Sequence, residues 1–246
     1  MSDKLNEDIE IYYGYFMRKI EEINTLQSPG HKLFKRVLYV SVLDTLSRAA
    51  YPNDKNNRNR FTSFVVNYCD WSNGNKISLL HLVQALKLST DSSLNDARRY
   101  AVERFSKTDF RFGAIPDISV DPNIEEILTV WPKDIDVIIT SVIKLEYLKH
   151  FNLVYAFRNS LVHEFRFPGH GMDISDNTEA FYHYILAPEG DDFVTDSIEL
   201  VYPFGFCRRI CISGLNNLKN HLIGKSINPY DLYDFGTYWI KGLNEE

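Results

Sequence analysis

Three polar residues gather in the stretch Arg158-Asn159-Ser160-Leu161-Val162-His163. Arginine is a permanent cation with a planar fork of donors, asparagine a neutral donor and acceptor, and histidine a group that titrates near neutrality. That combination suits a phosphate group. Around it, Tyr147, Phe151, Val154, Tyr155, Leu161 and Val162 fall at helical spacings from Arg158, so the arginine interrupts an apolar stripe. A guanidinium on a packed face is costly unless it is paired or borders a wet cleft. Asn159 and His163 are four apart, roughly 40° around a helix, whereas Arg158 and His163 are five apart, roughly 140°. One regular helix therefore converges Arg158 and His163 poorly. A simpler role stands beside the phosphate reading: both side chains could cap the helix C-terminus and complement its dipole.

The elements that must position these residues read as mainly α. Apolar spacing predicts helices over residues 7–26, 32–51, 59–69, 76–88 and 142–165, the last carrying the motif and stopped by Pro168-Gly169. The helix over 32–51 has an apparent stripe of Phe34, Leu38, Val42, Leu46 and Ala49. Asp44 and Arg48 lie off it at i, i+4, either as a surface ion pair or with Asp44 turned towards Arg158. Residues 89–135 read as an inserted helical segment. Its helix to about Lys107 carries Arg98, Arg99, Arg104 and Lys107, with Arg111 just beyond, the most basic stretch of an acidic chain. These cations are either solvated surface, interleaved with Asp96 and Glu103, or a flank that tracks phosphates. Asp121-Pro122 reads as a cap opening a helix to about Trp131. The β-branched run Ile-Asp-Val-Ile-Ile-Thr within residues 134–141 leaves helix and strand open, with helix leading into the motif helix the favoured reading.

Beyond the motif, residues 180–187 and 193–202 are rich in tyrosine and β-branched residues and are separated by turn residues, which predicts a β-hairpin. A final helix over 204–223 carries Cys207, Cys211, Leu215, Leu218 and Leu222. An aromatic tail follows, with Tyr230, Tyr233, Phe235, Tyr238 and Trp239, and should pack back on the body. The domain organisation is thus a helical core over 1–166, with the insertion at about 89–135, and a hairpin-plus-helix elaboration over 167–246.

The motif resembles that of the HEPN superfamily, in which Arg is followed after four to six residues by His, with a polar residue directly after the Arg. Arg158-Asn159 and His163 match it, flanked by Tyr155-Ala156-Phe157 and Glu164-Phe165-Arg166. The resemblance covers roughly residues 10–165 without the insertion. It implies a HEPN-like helical bundle of four to five core helices and a homodimer whose two motif helices face each other in a composite site. It also implies a metal-independent endoribonuclease, often a toxin or defence effector, with RNA as substrate and an antitoxin or regulatory protein as a possible partner. His163 would move protons, Arg158 would stabilise charge on the phosphoryl group, and Asn159 would orient His163 or donate to the phosphate. Asp44 would sit beside the site. Expected products are a 2′,3′-cyclic phosphate and a 5′-hydroxyl. The alternative within the same fold is a non-catalytic nucleotide- or RNA-binding or dimerisation module. A helical scaffold that contacts a protein through its hairpin and aromatic tail is a third reading.

Composition limits these readings. The formal net charge is −6 and the pI about 5.7, which argues against bulk binding of long nucleic acid but not against a local basic cleft. Hydrophobic content of 44%, with 14% aromatic, is ample for a core. Cys69, Cys207 and Cys211 make no disulfide framework, so a cytoplasmic location is expected. No cofactor is expected. His163, His170 and His183 match no ordered metal-site spacing, and His81 reads as a core or boundary histidine. The charged N-terminus and the lack of a long apolar run argue against a signal peptide or membrane span.

Overall fold

A computed structural model of the chain describes residues 3–110, 113–133, 138–169, 176–189 and 193–233. Helix α1 (Asp3–Asn24) buries Ile9, Tyr12, Phe16, Ile20 and Ile23, the single face that its spacing predicts. After Gly30, in the left-handed region at φ 76°, α2 (His31–Ala50) runs back along it. Here the expected stripe is only half right. Val42, Leu46 and Ala49 are buried, but Phe34 and Leu38 are exposed, and Tyr39, Val40 and Leu43 fill the core instead. The helix has two apolar faces, and spacing alone cannot say which one meets the core.

Asn56 caps α3 (Asn57–Tyr68), its side chain accepting from Asn59 N at 3.1 Å. Helix α4 (Leu79–Leu88), capped by Ser78, starts three residues later than predicted. Asp91 initiates a single 3-10 turn, Ser92–Leu94, that leads into α5 (Asn95–Lys107). The helix expected from Asp121 is short, α6 (Ile124–Leu128), and its cap is Asn123 in a capping box with Glu126. Asp121 is buried elsewhere. The motif helix is shorter too. A 3-10 turn at Leu145–Leu148 precedes α7 (His150–Asn159), and a π turn, Ser160–Glu164, completes it. Residues 138–144 form a tight reversal, Ile139 N donating to Ile143 O at 2.8 Å, rather than helix; residues 134–137 lie outside the described residues.

The predicted hairpin is present. Strand β1 (Phe181–Glu189) pairs antiparallel with β2 (Phe193–Val201), from Phe181 opposite Val201 to Glu189 opposite Phe193. Helix α8 (Phe204–Lys225) then crosses α1, α2 and α3. A Cβ on its Gly214 would come within 2.8 Å of the Phe64 ring, so the close approach of α8 to α3 requires glycine there. The three cysteines are buried thiols outside any disulfide. Of the aromatic tail, Tyr230 and Tyr233 pack on Tyr12 with ring centroids 5.8 and 6.5 Å away; Phe235, Tyr238 and Trp239 lie outside the described residues.

The buried side chains form two clusters. One joins α1, α2, α3, α7 and α8 with the base of the hairpin. The other joins α4, α5 and α6 with Trp131, Ile139, Leu145 and Leu148. The segment read as an insertion therefore completes a core begun by α4. No described helix is long and apolar enough to cross a membrane.

Candidate functional site

Helix α7 is anchored by Val154 and Phe157, and Leu161 continues the same buried line into the π turn. In that turn the Phe165 amide reaches back five residues to Ser160 O, and Phe165 itself closes it in the left-handed region, at φ 54°. An i to i+5 bond widens the turn beyond the 3.6 residues of an α-helix, so that residues five apart lie nearer one face. This changes the geometry expected of a regular helix: His163 comes back over Arg158, and their ring and guanidinium meet within one chain.

Arg158 is the hub. Its Nε donates to Asp44 Oδ2 at 2.7 Å, and Nη2 donates to the same oxygen. Nη1 donates to Asn159 Oδ1 and to His163 Nε2, both at 3.0 Å. A guanidinium has only donors, so His163 Nε2 must carry the lone pair and the ring proton must be on Nδ1. Four of the five N–H groups are used in this way, leaving one Nη2–H. The Arg158 side chain is half-buried, whereas His163 is exposed. Burial pushes the Asp44 carboxyl above the usual carboxylate range; the hydrogen bond and charge of Arg158 offset part of that rise. Asp44 thus faces Arg158, and the surface pair with Arg48 is absent among the described residues. Chemically, the cluster offers an accepting imidazole nitrogen beside a fixed cation, open to solvent.

An apolar border adjoins it. The Phe165 ring is 57% exposed and lies 6.0 Å from the exposed Phe34 ring, centroid to centroid. Leu38 and, on α1, Ile11 and Tyr15 are exposed as well.

The basic helix does not join this cluster. Arg98 donates to the carbonyls of Leu86 and Ser89 at the end of α4, at 3.1 and 2.9 Å. Arg99 pairs with Asp96 at 3.0 Å and Lys107 with Glu103 at 2.6 Å, both along α5. Arg104 meets Glu126 at 2.6 Å and Val120 O at 3.1 Å, tying α5 to α6. Each cation has a local structural partner, and Arg111 lies outside the described residues.

Sequence reasoning missed a buried polar chain. Asp121 Oδ2 accepts from Tyr182 OH and from His150 Nε2, each at 2.6 Å, and Asp121 Oδ1 accepts from Leu79 N at 3.0 Å. Ser78 Oγ lies 2.9 Å from Tyr182 OH and 2.8 Å from His81 Nδ1, while His150 Nδ1 lies 3.1 Å from Tyr202 OH. These partners come from five separate stretches, so no local spacing signals them. The one available hint is a buried-type Asp-Pro with no long amphipathic run behind it. No group of three or more His, Cys, Asp or Glu side chains placed to hold a metal occurs among the described residues; His170 lies outside them. Compared with protein-family models, curated proteins and solved structures, the chain has no match.

Proposed function

We propose that the protein is an endoribonuclease of HEPN type, acting on RNA without a metal ion. The observation that carries this reading is the convergence of Asp44, Arg158, Asn159 and His163 at one solvent-open point, with His163 Nε2 unprotonated and accepting from Arg158 until substrate displaces that contact. His163 Nε2 takes the proton of a ribose 2′-hydroxyl. The 2′-oxygen attacks phosphorus, the P–O5′ bond breaks, and the leaving O5′ takes up a proton. Arg158 balances the charge that builds on the phosphoryl oxygens through its spare Nη2–H and those that His163 and Asn159 release. Asp44 holds the guanidinium in plane, and Asn159 holds its inner edge. The products are a 2′,3′-cyclic phosphate and a 5′-hydroxyl, and DNA, lacking the nucleophile, resists.

A homodimer completes the reaction, because a second copy brings a second imidazole to protonate the leaving oxygen. The exposed Phe34 and Phe165 rings, which meet where the motif turn closes, favour such a pairing face.

The test is cleavage of a labelled single-stranded RNA in EDTA. The wild-type chain should leave cyclic-phosphate ends. His163→Ala and Arg158→Ala should each lose about 10²- to 10⁴-fold in rate, and Asp44→Ala less, since it acts through Arg158. Equal cleavage by all variants would remove the assignment. No cleavage, with nucleotide binding lost in Arg158→Ala, would make the cluster a binding module.

A further inference from the structure

The seam between α3 and α7 carries cations that the fold does not neutralise. Arg58 and Arg60 stand in the first turn of α3. Arg58 donates to the Asn152 side chain at 3.2 Å, and Arg60 to Asp54 O at 2.8 Å and Asn57 Oδ1 at 2.6 Å. Neither meets a carboxylate among the described residues. On α5, by contrast, Arg99, Arg104 and Lys107 each do. Cations at the start of a helix also oppose its dipole, so these two charges do not stabilise α3. The carboxylates that border the seam are held elsewhere: Asp44 by Arg158, Glu146 by Lys149 at 2.8 Å, and Asp54 by the Asn56 amide at 2.8 Å.

Aromatic rings alternate with the cations. The Arg58 guanidinium lies 4.4 Å from the centroid of the Tyr147 ring, at the approach to α7. One turn further along α3, Phe61 packs on Tyr155 with ring centroids 5.6 Å apart, and Arg158 lies 6.0 Å from the Tyr155 centroid. Successive contacts therefore run from the Asp44–Arg158–His163 cluster through Tyr155 and Phe61 to Arg58 and Tyr147. Tyr147 is 38% exposed, and Arg58 and Tyr155 are half-buried, so part of each faces solvent. The seam leaves the cluster towards the start of α7, whereas the Phe34 and Phe165 rings border the cluster at the other end of that helix.

A guanidinium stacked on an exposed tyrosine offers a flat platform for a base and a charge for the phosphate beside it. Stacking needs a base without its pairing partner, so a single strand fits and a duplex does not. A few cations suit a short contact, not the long phosphate track that a net charge of −6 opposes. We infer that single-stranded RNA reaches the cluster along this seam. A nucleotide flanking the cleaved bond stacks on Tyr147 and Arg58, its phosphate faces Arg58 and Arg60, and Tyr155 lines the path between. The inference rests on the ribonuclease reading for the place of the cleaved bond, but not for the binding itself. The basic flank of the site is thus α3 and not α5, whose cations are spent within the fold.

The experiment is fluorescence anisotropy of the full chain with a labelled 2′-O-methyl oligouridylate, which lacks the nucleophile, run beside cleavage of the unmodified strand. The wild type should bind the single strand and prefer it to a duplex of the same length. Arg58→Ala and Tyr147→Ala should each weaken binding about tenfold. Tyr147→Phe, which keeps the ring, should hold it, and Arg99→Ala on α5 should match the wild type. Arg58→Ala should also lower the slope of log Kd against log salt by about 0.7, one phosphate contact fewer. Circular dichroism verifies each fold, and Tyr147→Ala, at an exposed position, tests the seam even if Arg58→Ala does not fold. In cleavage, both alanine variants should raise KM more than they lower kcat. Binding that depends on Arg58 and Tyr147 without any cleavage would support the seam and remove the ribonuclease reading. Cleavage with equal binding by all variants would overturn the seam and leave the cluster standing. No binding of the single strand by the wild type, a preference for duplex, or an equal loss in Arg99→Ala would overturn the inference as well.

Discussion

At the scale of single residues, Arg158 and His81 illustrate how hydrogen-bond partners decide what a polar side chain can do. Arg158 has only donors, and Asp44 holds two of them, so its guanidinium plane is set before any ligand arrives. His163 is left as an acceptor by the same arithmetic. His81 differs in that its neutrality comes mainly from burial, which pushes its pKa from 6.5 to about 4, with His150 lowering it further and Asp121 opposing. An unfolded chain binds a proton at this histidine below about pH 6.5, and the folded chain does so only near pH 4. Its contribution to stability is therefore complete above pH 6.5 and lost as pH falls towards 4. His81 is half-buried rather than sealed from solvent, so screening should keep the loss to no more than about 2 kcal/mol. Urea midpoints measured from pH 7 downwards should fall less steeply for His81→Gln than for the wild type; parallel curves would refute the assignment.

Among the elements, the π turn at Ser160–Glu164 does most to form the site. A regular helix sets residues five apart on different faces, and the i to i+5 closure puts them on one. Register, not residue type, is what matters here. Inserting one alanine between Leu161 and Val162 should carry His163 away from Arg158 and abolish RNA cleavage with little change in helix content. Deleting Val162 instead gives an i, i+4 pair, which a plain α-helix already aligns, and should retain measurable cleavage. Equal loss in both variants would show that the turn matters for packing rather than for alignment. Helix α5 teaches the opposite lesson: its basic residues look like a phosphate-binding face in sequence, yet each bonds a neighbouring carboxylate or helix-end carbonyl.

For the whole molecule, the two hydrophobic clusters are joined by polar contacts as well as by apolar ones such as Phe105 stacked on Phe110. Backbone bonds from Ser78 N to Leu148 O at 3.0 Å and from His150 N to Lys76 O at 3.1 Å run across the junction, with Asp121 at its centre. Removing that carboxylate leaves the Tyr182 hydroxyl, the His150 ring and the Leu79 amide without their partner. Asp121→Ala should destabilise the fold by about 3–5 kcal/mol, and urea unfolding should show the α4–α6 cluster melting ahead of the rest. A single transition close to that of the wild type would show that the network is dispensable. Much of this architecture was legible in the sequence. The faces of α1 and α8, the two strands of the hairpin, and the occurrence of Arg158, Asn159 and His163 within one short stretch all follow from local periodicity and spacing. Local spacing could not say which face of α2 meets the core, because both are apolar. It could not reveal the π turn, which Phe165 closes in the left-handed region. Nor could it show that Asp44 turns to Arg158 rather than Arg48, or that Asp121 leaves its own helix for His150 and Tyr182. Those pairings join residues 29 to 114 positions apart, and such distances are closed only by tertiary packing, which buries the groups together and makes each the other's only escape from an unsatisfied polar atom.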